Sequence, residues 1–182
     1  MAKLGGWAVA MAIALGAGAA HADSVHLFSY DPADKATREA AGPLTFTFRK
    51  GLFHTTLLNL RSTEATATAY LRRADEQALG RGGLARIAAA DPGARDLYAI
   101  EPDEQGPALI AAFCPGAQRA WMAFGPVKAN RDLTVLVLQP PGADGKPRLC
   151  RTLRFAFHGE WVLPPGRSID PRQLERPRFP GA

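Results

Sequence analysis

Three stretches of this chain alternate apolar and polar side chains with a period of two, and that alternation restricts its fold more than any other feature. Leu44, Phe46 and Phe48 stand against Thr45, Thr47 and Arg49; Ala65, Ala67, Ala69 and Leu71 against Thr66, Thr68, Tyr70 and Arg72; and Leu153, Phe155 and Phe157 against Thr152, Arg154 and His158. Successive side chains of a strand point to opposite faces, so each stretch is a strand with one face buried and one wet. Antiparallel sheets have this pattern, whereas parallel sheets bury both faces.

The neighbouring segments extend the pattern. Val25–Tyr30 is a short apolar stretch and Phe53–Leu60 a β-branched and apolar run, and with Lys50-Gly51 as a turn the chain from Leu44 to Arg72 reads as an antiparallel meander. Asp96–Ile100, Arg119–Phe124 and Leu133–Leu138 are further strands, the last apolar on both faces and therefore central. Asp31-Pro32 supplies a capping residue and a first-turn proline for a helix over Ala33–Ala41 that ends at Gly42-Pro43. Asp75–Ala90 is helical in composition but cut by Gly80, Gly82 and Gly83 into two short turns, and Ala108–Phe113, between Pro107 and Pro115, is a short buried helix. Gly159 ends the strand that starts at Leu149 and leaves Trp161-Val162-Leu163 as the last apolar anchor. The expected fold is α+β and β-rich: an antiparallel sheet or sandwich of about seven short strands, two or three short helices and one disulfide.

Both ends of the 182-residue chain differ from its middle. Lys3 precedes a run from Ala8 to Ala20 of small and apolar residues, closed by Ala20-His21-Ala22. A positive n-region, a short h-region and small residues before a cleavage point make residues 1–22 a signal peptide cut after Ala22. About 13 apolar residues at about 1.5 Å each reach about 20 Å, short of the roughly 30 Å hydrocarbon core, so the leader does not read as an anchor and no membrane span remains after cleavage. The expected location is periplasmic or secreted, with a leader of bacterial style. Residues 23–163 form a single globular domain, and Pro164–Ala182, rich in Pro and Arg, reads as a disordered tail that could itself be a docking segment.

The formal charge of +5 loses force once the chain is divided this way. Lys3 leaves with the leader, and the tail carries four arginines against Asp170 and Glu175, so the folded part is left at +2 with its signs interspersed. A nucleic-acid reader would carry a clustered basic stripe, so no nucleic-acid partner is expected. The two cysteines, Cys114 and Cys150, are an even pair without CxxC or zinc-ligand spacing. In an oxidising compartment they read as one structural disulfide, the rival being a Cys114 nucleophile that would leave Cys150 unpaired.

Candidate chemistry is sparse. His26, His54, His158 and Glu160 could supply ligands for Zn or Cu from neighbouring strands, although no HxH or HExxH brings two of them together locally. Ser24, Ser29, Ser62 and Ser168 lie in no GxSxG elbow, and Thr55-Thr56 beside His54 is ordinary strand composition. Glu101, Asp103 and Glu104 lack the glycine and closing glutamate of a calcium loop, and Gly80, Gly82 and Gly83 lack the lysine that follows a phosphate loop. Trp121, Phe124, Trp161, Phe157 and Tyr98 are core material before they are a ligand cleft. Two functions of different class follow. The first is a non-catalytic binding protein that takes an envelope protein or a small ligand on a sheet face or edge strand. The second is a small metal-dependent enzyme using the four candidate ligands.

Overall fold

The computed structural model describes residues 24–80, 83–88, 93–142 and 145–163. The leader, the C-terminal tail and Ser168 lie outside them. Eight antiparallel strands follow one another around a closed barrel, each paired with its sequence neighbours and β8 paired back to β1. They are β1 (Ser24–Pro32), β2 (Leu44–Lys50), β3 (Thr55–Ser62), β4 (Ala67–Arg73), β5 (Asp96–Ile100), β6 (Trp121–Phe124), β7 (Leu133–Gln139) and β8 (Arg148–Leu163). The disulfide between Cys114 and Cys150 is formed.

A barrel of eight strands replaces the expected sheet or sandwich of about seven, and β8 is the reason. It does not stop at Gly159 but runs for 16 residues. Its first half pairs with β7 from Gln139↔Arg148 to Leu133↔Phe155, and its second half pairs with β1 from Pro32↔Phe155 to Val25↔Leu163. A strand longer than its neighbours supplies the stagger that tilted strands need to close on themselves. Closure removes every sheet edge, so the edge strand expected as a binding route does not exist.

The inward faces fill the lumen. Phe28, Tyr30, Leu44, Phe46, Leu60, Leu71, Met122, Phe124, Val135, Val137, Leu153 and Phe155 are all buried in one cluster. An eight-stranded barrel encloses just enough space for such side chains. Ring contacts run through it, with Phe46 centred 6.0 Å from Tyr30 and 5.4 Å from Phe124, and Tyr98 stacked on Phe124 at 5.0 Å. Trp121 is buried and Phe157 packs against the lumen cluster, whereas Trp161 stays half-exposed. Outward positions such as Ser29, Thr45, Thr47, Arg49, Thr68 and Arg72 are polar. A barrel crossing a membrane has the opposite pattern, apolar outside and polar within. No helix among the described residues is long and apolar enough to cross a membrane.

Helices cover what the strands leave open. The one-turn 3-10 helix Glu76–Leu79 and α2 (Gly83–Ala88) follow β4, split at Gly80 as the glycines require. Their Leu79 and Leu84 pack on Leu97, Ala99, Trp121, Ala123, Leu136 and Leu138, the outer faces of β5–β7. This second layer is why β7 is apolar on both faces. At one end of the barrel α1 (Lys35–Ala41) and α3 (Gly106–Phe113) bury Ala40, Ala41, Leu109, Ile110 and Phe113 against the lumen cluster. Asp34, not Asp31, caps α1 through a 2.7 Å bond from the Thr37 amide, because pairing with β8 carries β1 on through Pro32. Gly42 ends α1 at φ +57°, where an added Cβ would lie 2.9 Å from the Glu64 nitrogen. The disulfide ties the C-terminal end of α3 to the start of β8, and so fastens this cover to the wall.

Candidate functional site

The end of the barrel opposite α1 and α3 carries the polar cluster. There β1 begins, β2 turns into β3 and β8 finishes, with Ser24 opposite Lys50 and Val25 opposite Leu163. Alternation along β1 places His26 on the same face as Phe28 and Tyr30, at the rim of the lumen. A bulge brings Glu160 to the same face. Ser29 pairs with Gly159 but Tyr30 with Phe157, so β8 holds one unpaired residue, His158, and its alternation reverses there. Gly159 allows the arrangement because the Trp161 ring lies over it, and an added Cβ would sit 3.0 Å from that ring.

The rim is hydrogen-bonded throughout. His26 Nδ1 donates to Glu160 Oε1 at 2.6 Å, and in the neutral imidazole Nε2 accepts the Ser24 hydroxyl at 2.9 Å. Lys50 Nζ lies 3.5 Å from the same Glu160 oxygen and 5.2 Å from the centre of the Phe28 ring. The bond from His26, reinforced by Lys50, holds the Glu160 carboxyl below the usual glutamate range. Deeper in the lumen, burial pushes the Tyr30 phenol up to about 12. Its hydroxyl reaches the Lys128 carbonyl at 3.5 Å, in the β6–β7 loop at this same end.

The candidate ligands fall into three places. His26 and Glu160 meet directly. His158 is thrown to the outer wall by the bulge, where its Nδ1 bonds Asp31 at 2.8 Å and its ring stacks on Trp161. His54 is exposed on the β2–β3 turn, its carbonyl accepting the Gly51 amide at 2.9 Å. Among the described residues no three His, Cys, Asp or Glu side chains are placed to share a metal ion.

Ser24 and Lys50 are members of the cluster that the sequence reading did not single out. Their signal is positional: Ser24 and His26 are two apart on a strand and so share a face, and Lys50 ends the strand paired with them. The order serine, histidine, carboxylate is that of acyl transfer, which also demands oxyanion donors facing the nucleophile. Ser24 stands on a regular strand beside its own histidine, an arrangement that satisfies Glu160 and His26 at the lumen rim.

A stability test follows from Glu160. A carboxyl whose folded pKa is lowered contributes stability that is full above the unfolded value, here 4.5, and is lost as pH falls through the folded one. Glu160→Gln should therefore flatten the decline of unfolding free energy below about pH 4.5. At neutral pH it should cost about 1 kcal/mol, since the pair is partly solvated. Urea unfolding across pH 3 to 7 measures both, and parallel pH curves for the two proteins would refute the coupling.

The same end is also the apolar end. Phe53 is 92% exposed, Leu52 69%, Val162 57% and Trp161 48%, and only Tyr70 and Leu149 among the described large hydrophobics are comparably open. Leu52 and Phe53 sit at the tip of the β2–β3 hairpin, while Trp161 and Val162 end β8 on the other side of β1. An open groove of about 580 Å³ along Arg73–Gln77 and Arg95–Leu97 is polar, and its Arg73 is bonded to Asp96 at 2.8 Å. No family model, curated protein or solved structure matches this chain.

Proposed function

We propose that this chain is a non-catalytic binding protein of the bacterial envelope, exported by its leader, that engages its partner through the barrel end bearing Phe53 and Val162. The observation that carries this is the concentration of four exposed large apolar side chains there. Exposed large apolar side chains concentrated at one end of a molecule mark an interaction site. The packed lumen favours engagement at the rim over uptake of a ligand into the barrel, and closure leaves no strand edge to recruit a peptide. The disulfide agrees with an oxidising compartment. The metal-enzyme reading is the weaker one, because His158 and His54 point away from the His26–Glu160 pair.

Photo-crosslinking in growing cells tests the reading. A benzoyl-phenylalanine at position 53 should form adducts in the envelope, and the same side chain at Leu149, exposed at the opposite end, should form few. Equal yields at both positions, or none at 53, would overturn it.

A further inference from the structure

We propose that the partner of this end is an anionic lipid surface, with Leu52 and Phe53 entering the interface and the basic side chains of Arg49, Lys128 and Arg131 resting on the headgroups. The inference rests on the binding reading above and names its partner. The β2–β3 hairpin runs Arg49-Lys50-Gly51-Leu52-Phe53-His54, so two exposed apolar side chains project from a tip whose base is cationic. Apolar and aromatic groups inserted among headgroups, with cations beside them, are how proteins lie on membranes without spanning them.

Exposed cations are present at this end. Of the described carboxylates there, Glu160 is paired with His26 and Lys50 and Asp96 with Arg73, while Asp75 and Asp132 are exposed and accept the Gln77 and Phe157 amides. Arg49 and, in the β6–β7 loop, Lys128 and Arg131 stay exposed. The hairpin that carries the apolar tips thus has exposed Arg49 at its base, with Lys128 and Arg131 on the loop at the same end, cations complementary to anionic headgroups.

A lipid surface fits better than a folded protein. The two apolar pairs are separated by the polar start of β1, Ser24 and His26, whereas a stable protein interface needs roughly 800 Å² of contiguous, shape-matched face per partner. A fluid interface demands no such match.

Sedimentation with vesicles tests this, using the protein as the cell processes it. It should pellet with vesicles of phosphatidylglycerol and phosphatidylethanolamine and not with phosphatidylcholine alone, and added salt should weaken the association. Phe53→Ser with Val162→Ser should reduce binding by a factor on the order of ten or more, since a Phe side chain alone carries that much transfer energy. Both positions are open to solvent, so the double variant should keep its circular dichroism and melting temperature. Leu149→Ser, at the opposite end, should bind as the parent does. Failure to pellet with anionic vesicles overturns the lipid proposal, as does undiminished binding of the double variant. If vesicles fail while position 53 crosslinks to a protein in cells, the binding reading stands and only its lipid partner falls. If position 53 forms no adduct, both fall.

Discussion

Phe46→Ala should destabilise the protein by about 4 kcal/mol, the largest effect expected of any single substitution here. The ring is fully buried at the centre of the lumen and touches Tyr30, Phe48 and Phe124, which themselves contact Phe28, Phe157 and Tyr98. Its removal forfeits the transfer energy of a phenyl group and leaves a cavity, because a closed ladder of eight strands cannot contract around the gap. Against the 5–15 kcal/mol margin of an ordinary domain, that loss takes up much of the stability. Urea denaturation gives the number directly, and a loss under about 1.5 kcal/mol would mean that the lumen is not close-packed around this ring.

Replacing Cys114 and Cys150 together by serine should cost roughly 4 kcal/mol, and lower the melting temperature by on the order of 10 °C. The bond spans 36 residues of chain, long enough for a cross-link to restrict the unfolded ensemble strongly. It also holds α3 over the lumen, where Leu109, Ile110 and Phe113 are buried, so amide exchange in Gly106–Phe113 should rise more than in β7. Reductant added to the parent should reproduce the shift in melting temperature and leave the double variant unmoved. A melting temperature that the double substitution does not change would show that α3 is held by packing alone.

The residues differ in how openly they declare their surroundings. Leu133–Leu138 announced burial on both faces, and both are buried, one by the lumen and one by Leu79 and Leu84. Ala108–Phe113 and the glycine-split turns after Asp75 were equally readable, since proline and glycine act within a few residues of themselves. Asp31-Pro32 misled because its local signal is that of a helix start, while cross-strand pairing with Ala156 and Phe155 drew it into β1. Gly159 misled in the same way. Glycine weakens a strand on average, but here it makes room for the Trp161 ring and sits at the bulge. Taking it as a break hid the half of β8 that closes the barrel, and with it the face to which Glu160 turns.

The candidate site was readable as a composition and not as an arrangement. His26, His158 and Glu160 stood out as chemistry-bearing residues, but their grouping depends on a one-residue register shift, which inverts the faces of everything beyond it. Ser24 and Lys50 join the cluster only because β1 is flanked by β2 and β8 at once. Exposure of Phe53 and Val162 is likewise a property of where the strands end. Both occur in stretches that read as ordinary core material.

By itself the sequence determined most of the strands, the alternation of faces within each local run, the approximate positions of the short helices and the cysteine pair. These depend on periodicity, local backbone preference and pairing by elimination, all of which act over short spans of chain. Only the tertiary structure decided that the sheet closes, which wall His158 and Glu160 occupy, and that four exposed large apolar side chains share one end of the barrel. Those outcomes turn on the register between β1 and β8, strands more than a hundred residues apart. That register is set by the packing of the whole lumen and by a single bulge at Gly159.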